Sequence, residues 1–296
     1  MRFAKSKALA TVGLLALSLA ACGEAGNGGS TETGDYEVVE NPDFESGTIM
    51  ADLAEAGSVK IGVKFDQPGI GFKSAAADEP TGFDIEMGKI VAGQLGIAAE
   101  DIEWVETISD NREPFLQGGQ VDLVLASYSI TEDRLKIVGQ AGPYYVTGQQ
   151  LLVREADKDT ITSPEDLRGK DVCSVTGSTS IETVEKEYDA VPRGFATYSE
   201  CVDQVKNGSM DAMTTDGAIL LGYAAEDPDA LEVVAEPFST ERYGIGYPKE
   251  ATEMCQFLND TIEASYEDGT WEEAFQATLG QAGVDTPEPP AVDPCG

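Results

Sequence analysis

The chain has 296 residues, of which 19 are Lys or Arg, 54 are Asp or Glu and none is His, for a formal charge of −35. That length suits two compact domains or one large one, and a hydrophobic share of 41% with 7% aromatics is enough for cores, which excludes wholesale disorder. So negative a field excludes a nucleic-acid partner, and the lack of His removes Ser-His and Cys-His nucleophiles and the commonest zinc ligand; no metal and no cofactor are expected.

The first residues carry an export signal. Arg2, Lys5 and Lys7 form a basic stretch, and residues 8–21 are an apolar run too short for a permanent membrane span. The run ends in Leu19-Ala20-Ala21-Cys22, which resembles a bacterial lipobox. Cleavage there makes Cys22 the lipidated N-terminus and takes the net charge from −35 to −38. The chain is then anchored to the outer face of the cell membrane rather than spanning it. Residues 22–48, rich in Gly, Ser, Thr, Asn and acids, read as a flexible tether.

From there strands and helices alternate. Residues 59–64 read as a strand, and 83–96 as a helix, with Phe83, Met87, Ile90, Val91 and Leu95 at helical spacing. Strand 102–107, a short helix 111–116 and a buried strand 121–126 follow. Thr131 caps a helical turn whose first residues, Glu132 and Asp133, suit a helix N-terminus. Strand 149–154 precedes a capped turn at Ser163-Pro164-Glu165-Asp166. Strand 173–175 leads through a hydroxyl-rich turn to a helix ending near Tyr188. Strand 195–198, helix 200–207, strand 211–214 and helix 217–225 come next, then strands 231–235 and 243–247. Helices 254–267 and 271–279 end the body, and a Pro-rich tail closes the chain. This alternation predicts an α/β fold with parallel, doubly wound sheets, whose ligands sit beyond the carboxyl ends of the strands.

Four cysteines remain after Cys22, at Cys173, Cys201, Cys255 and Cys295. An even count in an exported chain favours disulfides, and four Cys allow three pairings.

Three loops lie where a ligand is expected. Ser127 to Arg134 offers hydroxyls, free amides and an Arg one turn into a helix, a set suited to a carboxylate. The alternative is a surface Arg paired with Glu132 or Asp133. Gly177-Ser178-Thr179-Ser180 opens another helix and can hold an anion or simply cap that helix. Asp216, at a strand end, can receive an ammonium group or cap the helix behind it.

Those three loops, together with Gly82-Phe83-Asp84-Ile85-Glu86, resemble in order and spacing the polar amino-acid group of solute-binding proteins from ABC importers (family 3). The resemblance runs over roughly residues 58–280 and implies two lobes that close over one amino acid. It implies that Arg134 binds the α-carboxylate with help from Ser127, Ser129, Ser178 and Thr179, and that Asp216 binds the α-ammonium. Ser109-Asp110-Asn111-Arg112 is similar to members that bind glutamate or aspartate, where an Arg meets the side-chain carboxylate. Lys64, at the end of the first strand, is a second cation beside it; the alternative for Arg112 is a surface residue on a short helix. The loop 67–81 is longer and richer in Gly and Ala than the usual turn, and no role is carried onto it.

The resemblance places lobe 1 at 49–147 and 243–283, lobe 2 at 148–242 and a tail at 284–296, with hinge crossings near Val146-Thr147 and Tyr243. On that division Cys173–Cys201 falls within lobe 2 and Cys255–Cys295 pins the tail to lobe 1. The implied function is capture of glutamate, or a related acidic or polar amino acid, by a monomer that delivers it to ABC permease subunits. The alternatives are an amino-acid-sensing subunit and a dehydratase-like enzyme on the same fold.

Overall fold

The computed structural model describes residue 34 and residues 36–296, so the expected signal peptide, Cys22 and the start of the tether lie outside the described residues. Among the described residues no helix is long and apolar enough to cross a membrane.

The first lobe opens with helix α1 (Ile49–Ala56), strand β1 (Val59–Val63) and a small hairpin, β2 (Asp66–Gln67) and β3 (Gly71–Phe72). Helix α2 (Phe83–Gln94), strand β4 (Ile102–Glu106), helix α3 (Arg112–Gln117), strand β5 (Leu123–Leu125), helix α4 (Glu132–Leu135) and strand β6 (Gly139–Thr147) follow. The second lobe holds strands β7 (Gln149–Arg154) and β8 (Asp171–Val175), helix α5 (Thr179–Glu187) and strand β9 (Val191–Phe195). It continues with helix α6 (Tyr198–Lys206), strand β10 (Ala212–Asp216), helix α7 (Gly217–Glu226) and strand β11 (Leu231–Val234). The chain returns through strand β12 (Glu241–Tyr247) to helices α8 (Met254–Asp268) and α9 (Thr270–Ala277).

The strands form two five-stranded sheets, in the orders β4-β1-β5-β12-β6 and β11-β7-β10-β8-β9. They are mixed rather than purely parallel. β1 runs parallel to β4 and β5, and β8 to β9 and β10, but β12 is antiparallel to β5 and β6, and β7 to β10 and β11. The antiparallel strands β6, β7 and β12 are those that carry the chain from one sheet to the other. Of these, β7 and β12, on which the chain enters each sheet from the other, run against all the other strands of that sheet, whereas β6 shares the direction of β5.

Two expectations need correction. The strand expected at 195–198 is β9, four residues earlier, and Tyr198 already begins α6. The cause is local: Thr197 and Glu200 form a capping box, which fixes a helix start there. The expected tether also ends sooner than residue 48. From Tyr36 the chain lies along α2: Val39 N–H donates to the Gly93 carbonyl (2.9 Å), and the Tyr36 hydroxyl to Glu86 Oε2 (2.9 Å). A Cβ on Gly93 would stand 2.4 Å from the Glu37 carbonyl oxygen, so only glycine admits the strap this closely. Glu86 and Lys89, paired at 2.9 Å, are buried beneath it. Strand β6 is absent from the sequence reading because Gly139, Gly142 and Pro143 read as breakers.

The core of the first lobe is aromatic. Phe83 is fully buried, with ring centroids of Tyr144, Tyr145, Trp271 and Phe275 at 6.0, 5.8, 5.9 and 5.5 Å. It joins α2 to β6 and α9, and so ties the returning C-terminal helices to the first half of the sheet. The tail is held by Cys255–Cys295, and the other disulfide, Cys173–Cys201, joins β8 to α6 within the second sheet's layers. Phe83→Ala is expected to lower the unfolding free energy by about 3–5 kcal/mol. Urea unfolding measures it; a loss below about 1 kcal/mol would contradict the packing role.

Candidate functional site

The carboxyl ends of β1, β5, β8 and β10 face one another across a narrow cleft. It is lined by Arg112, Ser127, Ser129, Arg134, Ser178, Thr179, Ser180, Tyr198 and Asp216. All the expected ligand-binding residues except Lys64 line it. Lys64 lies one residue beyond β1 and donates from Nζ to Ser109 Oγ (2.8 Å), three residues before Arg112.

One wall is cationic. Arg112 is buried, and all three of its nitrogens donate to carbonyls: Nε to Ser109, Nη1 to Ala126 and Ser127, and Nη2 to Gly177. It is therefore not the surface residue of the alternative reading. Arg134 donates from Nη1 to the Ser129 carbonyl (2.7 Å) and from Nη2 to the Gly177 carbonyl (3.1 Å). Its ion pair is with Glu113, Nε to Oε1 at 3.3 Å, not with Glu132 or Asp133. Both guanidiniums lie over the Tyr128 ring, at 4.6 and 5.0 Å from its centroid. Lys64 adds a third positive group with 2% exposure. Burial, then the Arg112 charge, pushes its ammonium down to about 7, against the opposing pull of Asp66 and Asp84.

The loop after β5 is held from below. Ser127 has φ of 44°, a left-handed conformation that costs a non-glycine residue energy. The buried carboxylate of Asp84 accepts its N–H at 2.8 Å and the Tyr144 hydroxyl at 2.6 Å. Arg112 takes the two carbonyls on the same turn. Burial pushes the Asp84 carboxyl up to about 6, while those two hydrogen bonds hold it lower than burial alone would.

The opposite wall is hydroxylic and acidic. Ser178 caps α5, accepting the Ile181 N–H at 3.3 Å, which leaves the Thr179 and Ser180 side chains on the cleft face. Asp216 makes no side-chain cap to α7; its Oδ2 accepts the Tyr243 hydroxyl at 2.6 Å. Burial, then the charge of Glu241, pushes this carboxyl up to about 7.

The lobes meet at three further places. The Gly177 carbonyl accepts from both arginines, and a Cβ there would lie 3.1 Å from Asp110 backbone atoms. Asp66 Oδ2 accepts the Tyr198 N–H at 2.6 Å, and the Tyr223 hydroxyl donates to the Asp66 carbonyl. Pro68 fits a notch at Gly222, where a Cβ would stand 2.3 Å from the Pro68 oxygen. Pro68, in the long loop that carries no role from the sequence, and Asp66 just before it thus form the edge by which lobe 1 seats on α7 and α6.

Sequence reasoning missed Asp84, Tyr128, Tyr198 and Glu241 as parts of the site. Asp84 and Tyr128 stand inside matched motifs and carried a signal that went unused. The sequence reads Tyr198 as strand, and Glu241 precedes the strand expected at 243; nothing local marks either as part of a binding site.

Residues 59–281 match the model of the bacterial extracellular solute-binding proteins, family 3. The glutamate-binding protein GluB of Corynebacterium efficiens is 39% identical over 81% of this chain and 84% of its own. The ABC transporter glutamine-binding protein GlnH of Bacillus subtilis is 33% identical over 90% of this chain and 94% of its own. Among solved structures, an ancestral arginine-binding protein bound to glutamine superposes with a TM-score of 0.71 at 34% identity, covering 76% of this chain and 98% of that one.

The raised carboxyls make stability fall with rising pH. Asp84 keeps its proton in the native state up to about 6 and Asp216 up to about 7, whereas unfolded Asp releases it near 3.8. The native state thus binds more protons than the unfolded chain between about pH 4 and 7, and unfolding free energy drops as pH rises through that window. Asp84→Asn is expected to flatten the slope between about pH 4 and 6. Urea unfolding at several pH values measures it, and an unchanged slope would contradict the buried, protonatable role.

Proposed function

The chain belongs to the bacterial extracellular solute-binding proteins of family 3, and from that membership we propose that it captures an α-amino acid, with L-glutamate favoured, for an ABC importer. Capture takes place outside the cytoplasm. The body, a monomer with lobes at 49–147 with 243–283 and 148–242, is tethered to the membrane by a lipid on Cys22 and hands the ligand to permease subunits. It converts nothing: the ligand is recovered unchanged from the complex.

The observation that carries the reading is the charge pattern of the cleft. Arg112, Arg134 and Lys64 stand on one side, and Asp216 on the other. An amino acid with an acidic side chain carries two carboxylates and one ammonium, and this pattern complements it. We assign the α-carboxylate to Arg134 with the amides near Ser129 and Thr179, and the ammonium to Asp216. Arg112 and Lys64 receive the side-chain carboxylate. Arg112 has most of its N–H groups engaged by carbonyls, so it both builds the loop and contributes charge. Lys64 stands just outside the cleft lining, with one hydrogen bond and two N–H groups left to reach the distal carboxylate.

Calorimetric titration with a panel of amino acids tests the reading: L-glutamate should bind, and L-arginine should not. Failure of every amino acid to bind the folded chain would overturn it. Arg134→Ala should weaken glutamate at least tenfold, since a charge-assisted hydrogen bond contributes about 1.5–3 kcal/mol.

Selectivity follows from the distal cations. Arg112→Gln and Lys64→Gln are each expected to weaken glutamate by about 2–5 kcal/mol, the usual cost of breaking a buried charged pair, and glutamine far less. Equal losses for both ligands would remove the side-chain assignment.

Closure can be tested away from the ligand. Gly222→Ala favours helix α7 by about 1 kcal/mol, so the fold should survive. Its methyl meets the Pro68 carbonyl, so saturating glutamate should no longer shrink the radius of gyration in small-angle scattering. Wild-type shrinkage in the variant would refute this lobe contact.

A further inference from the structure

We infer that Glu241 is a second acceptor for the ligand's ammonium group beside Asp216, and that the two carboxylates restrict the cleft to ligands bearing an amine. The inference rests on the amino-acid reading above and adds a group to the same site.

Glu241 begins β12, where the chain crosses back to the first sheet, and is 5% exposed. Its Oε2 accepts Ser129 Oγ at 2.5 Å and Thr179 Oγ1 at 3.0 Å, and its Oε1 accepts Ser239 Oγ at 3.0 Å. Ser129 follows β5 and Thr179 opens α5, so one carboxylate touches both lobes and the crossing at once. Both hydroxyls line the cleft. All three partners are neutral, and none cancels the charge.

Asp216 is in the same position. It is 4% exposed, and its one side-chain hydrogen-bond partner is the Tyr243 hydroxyl. Among the described residues neither Asp216 nor Glu241 has a Lys or Arg nitrogen within 4.0 Å. The two acids feel each other: the charge of Glu241 is the second cause, after burial, that pushes the Asp216 carboxyl upward. Buried like charges without a counter-ion are expensive, and a cation placed between them relieves both.

A third group points to the same occupant. Ser180 Oγ is buried, lines the cleft with Asp216 and has no hydrogen-bond partner. An ammonium has three N–H donors. Asp216 and Ser180 line the cleft and Glu241 stands behind its Ser129 and Thr179 hydroxyls, so the three supply three acceptor groups. A cation larger than an ammonium would have to displace the hydroxyls that hold Glu241.

Glu241→Gln keeps the length of the side chain and an oxygen for the hydroxyls while removing the charge. The full chain, wild type and variant, is titrated with L-glutamate and with glutarate, which lacks only the amine. Glutamate is expected to weaken at least tenfold in the variant and glutarate less than threefold, so that the preference between them collapses. Equal losses would mean that Glu241 merely ties the lobes, and an unchanged glutamate affinity in the folded variant would mean that it touches nothing; either overturns the inference. Glu241→Asp, which restores the charge on a shorter arm, should recover part of the preference, and no recovery would count against a charge effect. If the wild-type chain binds neither compound, the amino-acid reading itself fails and takes this inference with it.

Discussion

Three cationic side chains, the buried Arg112 and Lys64 and the half-buried Arg134, gather on one side of a cleft in a chain whose net charge is −35, and the rest of the site is arranged around keeping them there. Arg112 and Arg134 both lie against one tyrosine ring and share the Gly177 carbonyl, so their charged centres are at most about 10 Å apart. At an effective dielectric of about 20, two unit charges at about 10 Å repel by about 1.7 kcal/mol. Among the described residues one carboxylate, that of Glu113, pairs with Arg134. The remaining compensation comes from carbonyl dipoles: those of Ser109, Ala126, Ser127, Ser129 and Gly177 all turn toward guanidinium N–H groups. The strained turn at Ser127 aims two of those carbonyls, and Asp84 secures that turn from behind.

The same constraint couples recognition to closure. Gly177 belongs to the second lobe, yet its carbonyl completes the shells of both arginines. The cations are therefore fully solvated by protein only when the lobes are together. The Asp66 contacts with Tyr198 and Tyr223, and the Pro68 notch at Gly222, form the mechanical edge of that closed arrangement. Carboxylates of the proposed ligand would outcompete a neutral carbonyl for these N–H groups, because charge-assisted hydrogen bonds are about twice as strong. Binding energy and closure energy are in this way drawn from the same donors.

Much of this was legible in the sequence, and the exceptions have physical causes. Alternation made the α/β fold and the loops after β5, β8 and β10 legible, and the family resemblance carried the two lobes and both disulfide pairings. Strand β6 did not, because glycine and proline read as breakers while the strand's context, burial between β12 and α8, is invisible locally. Residues Tyr36–Thr48 looked like linker, since the signal for the strap is the pair of small residues Gly93 and Gly96 on a distant helix. Glu241 and Tyr198 act through tertiary neighbours 112 and 132 residues away in the chain, respectively, at Ser129 and Asp66. For Arg112 the sequence indicated a charge in the site but not that most of its donors are spent on carbonyls.

A crystal structure of the chain with L-glutamate tests the central claim most directly. The account predicts the distal carboxylate within hydrogen-bond distance of Lys64 Nζ and the free N–H of Arg112, with the α-carboxylate on Arg134. A distal group turned instead toward Ser180 and Asp216, leaving Lys64 with Ser109 as its sole partner, would contradict it.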